Sequence, residues 1–227
     1  MNTELFSGKA EVYANARPSY PPEAIDYIRN LVSPSAIFAD IGAGTGKFTE
    51  LIAKHGHNIF AVEPNTDMLK QLAVTLSSYS NAKVIAGPAE NTTLPNNSID
   101  IIICAQALHW FDINAFRQEC NRIGKTDCIV VAVYNVNPAG SSAIHSQNAP
   151  KAFFQNPTVR EFPNPQFYTR EQWINYMSTH STSPLQSDAR YDTHISEVNA
   201  IFDDRSVNGT LCNHVITKVF SERRNHE

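Results

Sequence analysis

Three closely spaced glycines mark the clearest candidate for a ligand-binding loop, in the segment Asp40-Ile41-Gly42-Ala43-Gly44-Thr45-Gly46. Glycine accepts positive φ angles and lets a ligand approach the backbone without a Cβ in the way. The segment follows an apolar run and precedes an amphipathic stretch, so it predicts a strand-to-helix turn, where open α/β sheets bind ligands. We expect a side chain at position 42 or 44 to fill the place of the ligand.

The spacing of the glycines separates three kinds of nucleotide loop. A Walker A loop would need glycine where Ile41 stands and a hydroxyl residue where Phe48 stands, so this kind is excluded. A dinucleotide loop needs its third glycine at the position of Lys47, which disfavours a nicotinamide oxidoreductase.

Two carboxylates flank this loop. Asp40 ends the preceding apolar run, where it would repel a pyrophosphate but could bind the ammonium group of an amino acid. Glu63, about twenty residues beyond the loop, could accept both hydroxyl groups of a ribose. Together they favour S-adenosylmethionine as the cofactor over NAD. The alternative is a tight turn with a solvated acid at position 63.

From Ser35 to Tyr134 the sequence alternates between apolar runs and amphipathic stretches. This pattern predicts strands joined by helices in a parallel sheet, which would position the loop. Strands are predicted at residues 36–41, 58–62, 83–86, 99–105 and 128–134. Helices are predicted at 22–32 and 47–55, and around two apolar stripes: Met68, Leu69, Leu72 and Leu76, then Ile113, Phe116, Cys120 and Ile123 with Asp112 as N-cap.

The region after Tyr134 changes character. Pro150, Pro157, Pro163 and Pro165 predict loops. A short helix is predicted at residues 173–180, a longer one around Ile195, Val198 and Phe202, and a closing strand through Leu211, Val215 and Val219. We therefore predict an α/β fold, a Rossmann-like doubly wound sheet of about seven strands, mostly parallel with an antiparallel last strand, plus a short lid-like insertion.

The chain is predicted to form one domain, residues 1–227. Within it we distinguish an N-terminal cap segment (1–34), a cofactor-binding core (35–135), a lid or substrate insertion (136–190), and a closing helix and strand (191–227).

Composition narrows the classes of partner. The formal net charge is -4 and the basic residues do not cluster, so nucleic acid is not expected as a substrate. The sequence contains no apolar run of about 18 residues, and no targeting signal is recognisable at its start. We therefore expect a cytoplasmic protein without a membrane segment. The four separated cysteines indicate a reduced protein, and no histidine pair has zinc-site spacing, so we expect no metal.

The glycine loop, together with Val62-Glu63-Pro64, resembles class I S-adenosylmethionine-dependent methyltransferases of the methyltransferase-11 type, especially a subgroup similar to trans-aconitate methyltransferases. Segments 13–21, 87–90 and 106–112 resemble this subgroup too. The resemblance implies that the cofactor is held by the following residues: Asp40, Gly42, Ala43, Gly44, Glu63, Pro64, Ala89, Glu90, Gln106, Tyr13 and Arg17.

Within that set, the resemblance implies a place for each part of the cofactor. Ala89 and Glu90 would lie at the adenine and Gln106 near the methionine end, while Tyr13 and Arg17 would close over the site. The alternative for these last two residues is that they pack an N-terminal segment on the sheet, with Arg17 otherwise pairing with a carboxylate of the cofactor or substrate.

Two segments depart from this family. Residues 124–127 replace its Lys-Pro-Gly-Gly-like turn before the fifth strand, where we still expect a turn, and residues 136–156 are short for its substrate-covering insertion. The second departure motivates an alternative function, a protein of this fold that binds S-adenosylmethionine without turnover.

The leading hypothesis is a methyltransferase, monomeric or homodimeric, acting on a small molecule, with carboxylates as the first candidate acceptors. A carboxylate needs no base, whereas a phenol, amine or alcohol would benefit from one with a pKa near neutral. His109 is the candidate base, and the alternative is that it only orders its loop by hydrogen bonding.

Overall fold

A seven-stranded sheet forms the centre of the computed structural model, which describes residues 18–138, 143–180 and 183–224. The strands are β1 (Ile37–Ile41), β2 (Asn58–Glu63), β3 (Ala82–Ala86), β4 (Ile99–Ala105), β5 (Gly124–Val136), β6 (Thr158–Pro163), β7 (Gln166–Tyr168), β8 (Leu211–Asn213) and β9 (Ile216–Arg223). Their order in the large sheet is β3-β2-β1-β4-β5-β9-β6, and β7 pairs separately with β8. In the large sheet as described, β9 pairs antiparallel with β5 and with β6, and the other four pairs of strands are parallel, which confirms the predicted fold class.

Helices cover both faces of this sheet. They are α1 (Pro22–Arg29), α2 (Lys47–Ala53), α3 (Thr66–Thr75), α4 (Ile113–Ile123), α5 (Ala143–Phe153), α6 (Arg170–Ser178) and α7 (Tyr191–Arg205). On one face, α1 and α2 pack on Phe38 and Ile101; on the other, α4 packs on Ile102 and Val130. Because both faces are buried, the central strands are nearly continuous apolar runs. No helix in the described part of the chain combines the length and apolar character needed to cross a membrane.

The helix signals in the sequence correspond to observed contacts. The Asp112 carboxylate accepts hydrogen bonds from the N–H groups of Asn114 and Ala115, both at 3.0 Å, as predicted for the N-cap of α4. Met68 and Leu72 bury the inner side of α3. The first two helices end two or three residues earlier than predicted, at Arg29 and Ala53, within the usual uncertainty of helix ends.

The loops predicted after β5 are partly wrong. Pro150 lies inside α5. Strand β6 begins directly after Pro157 and ends at Pro163. Strand β6 lies at the edge of the sheet as described, where its one partner strand is β9, and edge positions tolerate proline at strand ends. Its side chains are mostly exposed, so it lacks the apolar alternation of a buried strand.

Two further expectations need correction. Residues 124–127 do not form a separate turn, because Gly124 already pairs with Ile99 at the start of β5, and the extra residues before the next pair, Ile101 with Ile129, form a bulge. The predicted closing strand is two strands, since β8 ends at Asn213 and β9 begins at Ile216.

A small module of β7, β8, α6 and α7 has its own core of Tyr168, Trp173, Val198, Phe202 and Leu211. It leaves the large sheet where β6 ends and β9 begins, at the carboxyl edge of β5. Helix α7 packs with α6, which lies in the second half of the insertion predicted at residues 136–190. In its contacts, α7 therefore belongs with that insertion. The proposed boundaries between segments stay a prediction.

Candidate functional site

The carboxyl ends of four parallel strands bring the predicted site residues to one edge of the sheet. Strand β1 lies between β2 and β4. The helix after β1 covers one face of the sheet and the helix after β4 covers the other, which leaves a crevice where the connections diverge. Ligands of open α/β sheets bind in such a crevice.

The glycine loop turns from β1 into α2 with its backbone in the left-handed region. Gly42, Gly44 and Gly46 have φ angles of +73°, +58° and +87°. The N–H groups of Gly42 and Ala43 donate to the carbonyl oxygen of Val62 at 2.9 and 3.0 Å, which holds the loop against β2. A Cβ at Gly44 would meet no described atom within 4 Å, so this backbone segment borders open space.

Gly42 has a different role from the one expected. A Cβ there would lie 2.7 Å from the Cβ of Ala107 and 3.1 Å from Cζ of Phe111, in the connection after β4. The expectation that this side chain would fill the ligand's place is therefore wrong for position 42. Gly42 allows the connections after β1 and β4 to pack together.

We expect Gly42→Ala to lower the free energy of unfolding by about 2–4 kcal/mol, from the left-handed backbone and overpacking against Ala107. Chemical denaturation measures this loss. The control is Gly209→Ala. Gly209 has a φ of +75° and no described neighbour within 4 Å of an added Cβ, so this substitution adds backbone strain without overpacking. An equal loss in both variants would contradict the packing role of Gly42.

Glu63 lies at the end of β2 with both carboxylate oxygens oriented by backbone donors. Oε2 accepts from the N–H of Gly44 at 2.8 Å and Oε1 from the N–H of Asn65 at 2.9 Å. Burial raises the pKa of Glu63, and the two N–H donors oppose that rise. Each oxygen keeps a further lone pair, so the carboxylate can accept hydroxyl donors from a ligand.

Asp40 is fully buried beneath the loop. Its Oδ2 accepts a hydrogen bond from Oγ1 of Thr49 at 2.6 Å, whereas Oδ1 has no partner among the described atoms. Burial raises the pKa of Asp40 to about 7, with a smaller rise from the nearby Glu63 and an opposing contribution from Thr49. A buried acceptor without a donor is costly, and a donor that arrives with a ligand would satisfy it.

The remaining predicted cofactor residues occupy the connections after β2, β3 and β4. Pro64 is half-buried and Ala89 is buried. The Glu90 carboxylate accepts the N–H of Asp112 at 2.9 Å and so joins the connections after β3 and β4. Gln106 has a φ of +58°, which is unusual for a residue with a side chain.

His109 lies in a short 3₁₀ helix, Leu108–Trp110, and its side chain is exposed. Its ring centroid is 4.8 Å from that of Trp110 and 6.0 Å from that of Tyr134. Phe111 is a buried core residue. Tyr13 and Arg17 lie outside the described residues, so their predicted roles stay predictions.

Two polar residues of this site were missed by sequence reasoning. Thr49 holds the buried Asp40 carboxyl, and Asn65 both donates to Glu63 and caps α3 by accepting from the N–H groups of Asp67 and Met68. Asn65 carried a detectable signal, since Asn before a helix is a favoured N-cap. Thr49 sits within a helix and carried none.

The comparison with family models agrees with this geometry, because residues 39–132 match the model described as a methyltransferase domain. This part of the chain is a methyltransferase domain. It contains the glycine loop, Glu63, the connection after β3 and His109. The cofactor that the domain implies is S-adenosylmethionine, as predicted.

Curated relatives of the methyltransferase domain carry the same designation. An uncharacterized methyltransferase of Mycobacterium tuberculosis is 39% identical over 107 residues, which cover 47% of this chain and 42% of the relative. A methyltransferase-like protein of Schizosaccharomyces pombe is 36% identical, with 60% and 53% covered. A probable S-adenosylmethionine-dependent methyltransferase of Saccharomyces cerevisiae is 25% identical, with 56% and 45% covered. The chain thus spans about half the length of these relatives.

Solved structures confirm the fold beyond the matched segment. A proposed type II methyltransferase of Anaeromyxobacter dehalogenans superposes with a TM-score of 0.69 at 19% identity, over 92% of this chain and 99% of that one. Geranyl diphosphate C-methyltransferase of Streptomyces coelicolor, solved with S-adenosyl-L-homocysteine, gives a TM-score of 0.52 at 11% identity, over 89% and 80%. At these identities the similarity shows the fold alone.

Proposed function

We propose that this methyltransferase domain transfers the methyl group of S-adenosylmethionine to a small-molecule acceptor. The observation that carries the proposal is the open backbone at Gly44 beside the oriented carboxylate of Glu63. The cofactor, when bound, supplies an electrophilic methyl group on a sulfonium that leaves as a neutral thioether. The residues of the chain have to bind, orient and desolvate the reactants.

The residues present fit such a cofactor at two points. Glu63 would accept the ribose hydroxyls with the lone pairs that Gly44 and Asn65 leave free. Oδ1 of Asp40, a buried acceptor without a partner among the described atoms, would accept a hydrogen bond from the ammonium group of the methionine part. The roles of Pro64, Ala89, Glu90 and Gln106 are proposed from their places around the same edge.

The acceptor is proposed to lie on the side of His109 and the small module, because both stand at the carboxyl edge beyond β4 and β5. The family resemblance makes carboxylic acids the first candidates. Membership of the subgroup similar to trans-aconitate methyltransferases, the cytoplasmic location and the monomeric or homodimeric state stay predictions.

Calorimetry with S-adenosylhomocysteine, followed by a methyl-transfer assay with carboxylic acids, phenols and amines, tests the proposal. We expect one binding site per chain and turnover with at least one class of acceptor. Failure to bind would refute the cofactor site. Binding without turnover across the panel would favour the alternative, a cofactor-binding protein of this fold.

His109→Gln distinguishes a base from a residue that only orders its loop. If the acceptor is a phenol, amine or alcohol, we expect kcat to fall by about 10²–10⁴-fold with cofactor affinity unchanged. For a carboxylate acceptor, kcat should stay within about threefold of wild type, since no proton has to be removed. A matched loss of cofactor affinity and kcat would instead indicate a structural role.

A further inference from the structure

A cavity of about 840 Å³ opens on the side of the sheet covered by α4. It is bounded by α4, the turn after α5, the start of β6 and the end of β9. On β5 the cavity is lined by Val130, which pairs with Glu222. The edge of the sheet that carries the glycine loop lies further along β5, beginning where Val133 pairs with Ala105. We call this cavity the arginine pocket, because Arg117, Arg223 and Arg224 line it.

Two of these arginines, Arg117 and Arg224, are half-buried and have no counterion among the described residues. Nη2 of Arg117 donates to the carbonyl oxygens of Ala152 and Phe153, both at 2.9 Å, and Nη1 of Arg224 donates to the carbonyl oxygen of Arg117 at 3.2 Å. Neither arginine forms an ion pair within the described residues. Neutral carbonyls leave the positive charge uncompensated, whereas a guanidinium with five donors is suited to bind a carboxylate or phosphate.

The one carboxylate in the described lining, that of Glu222, accepts hydrogen bonds from backbone N–H groups. Glu222 accepts the N–H groups of Gln155, at 3.2 Å, and Asn156, in the turn after α5. Arg223 pairs with Asp127 at 3.9 Å, so the described lining has two arginines without an ion pair against one glutamate, although the whole chain has a formal net charge of -4. A positive pocket in a negative protein concentrates anions locally.

The floor of the arginine pocket is apolar and aromatic. Val130, Phe153 and Phe154 are buried there, and the Phe153 and Phe154 rings meet edge to face at 4.9 Å between centroids. The Arg117 guanidinium lies 5.5 Å from the centroid of the Phe153 ring. Only the edges of these rings reach the cavity and most of its lining is polar, so it suits a small anion with a limited apolar part.

We propose that the arginine pocket binds an organic anion with a planar apolar body. The edge of the body contacts the exposed edges of Phe153 and Phe154, and its carboxylate or phosphate group pairs with Arg117 and Arg224. This site is separate from the cofactor edge, and the proposal does not depend on methyl transfer.

Calorimetry at low ionic strength with four probes tests this ligand class. Phenyl phosphate and benzoate carry both parts, phenol has only the apolar body, and inorganic phosphate has only the charge. We expect saturable binding of one equivalent of phenyl phosphate or benzoate, with the tighter of the two identifying the charged group. Phenol and inorganic phosphate should bind at least about tenfold more weakly.

Three variants locate the binding. Arg224→Gln removes one uncompensated charge and should weaken binding by at least about tenfold. Asn121→Trp, at an exposed position of α4 on the pocket wall, should block binding with little effect on stability. Arg205→Gln, an exposed arginine on α7, is the charge-matched control and should leave binding within about twofold of wild type.

Three results would overturn the proposal. The first is the absence of saturable binding of phenyl phosphate and benzoate below about 10 mM. The second is equal binding of inorganic phosphate and phenyl phosphate. The third is binding that Asn121→Trp and Arg224→Gln leave unchanged, which would place the probe elsewhere on the chain.

Discussion

Gly44→Val is expected to weaken S-adenosylhomocysteine binding by at least about 100-fold, while the fold is retained. A Cβ added at this position would meet no described atom within 4 Å, so the described protein leaves space where the side chain begins. It would occupy the open space beside Glu63 into which the cofactor is proposed to fit. Calorimetry measures the loss of affinity, and circular dichroism checks the fold.

The matched control is Gly56→Val, in the turn between α2 and β2. Gly56 has a φ of +85° and also has no described neighbour within 4 Å of an added Cβ. Both variants therefore carry similar backbone strain in open surroundings, but only position 44 borders the proposed site. Equal cofactor affinity in the two variants would refute the site at the glycine loop.

Asp40→Asn is expected to have opposite effects on stability and on cofactor binding. The pKa of Asp40 is raised to about 7 by burial, so between about pH 4 and pH 7 the folded state holds a proton that the unfolded state has lost. This contribution to stability is present at low pH and is lost as pH rises through the folded pKa. The free energy of unfolding of the Asp40→Asn variant, relative to wild type, should therefore grow by about 2–3 kcal/mol from pH 5 to pH 8.

Cofactor binding should show the reverse dependence, because the ammonium group of the ligand favours the ionised Asp40. Wild-type affinity for S-adenosylhomocysteine should rise about tenfold from about pH 6 to pH 8, and Asp40→Asn should bind weakly with a flat profile. Denaturation and calorimetry over this pH range measure both effects. The control is Glu63→Gln, which should weaken binding but keep a pH dependence, shifted to somewhat lower pH because the charge of Glu63 helps to raise the pKa of Asp40. A sloped profile in Asp40→Asn would show that another group titrates.

The part of the site that sequence predicted best is the part that is local in the chain. The order of β1, the glycine loop and α2 follows from apolar runs and glycines within a short segment, and Glu63 follows from the end of the next strand. The N-cap at Asp112 is also encoded locally, in a side chain two and three residues from the groups it binds.

The part that was missed depends on contacts between distant segments. The need for glycine at position 42 comes from Ala107 and Phe111, which are separated from it in the chain by three strands, β2, β3 and β4. Strand β6 exists because β9 pairs with it, and its exposed side chains give no buried pattern. The raised pKa of Asp40 likewise depends on how completely the packed structure removes it from water.

The position of β9 between β5 and β6 has a consequence for how the chain acquires its fold. Among the described residues, β6 joins the large sheet through its pairing with β9, a strand made more than fifty residues later. During synthesis β5 therefore presents an unpaired edge until β9 emerges from the ribosome, and such edges promote association between chains. The late strand closes both pairings at once, which makes completion of the sheet a single long-range step in folding.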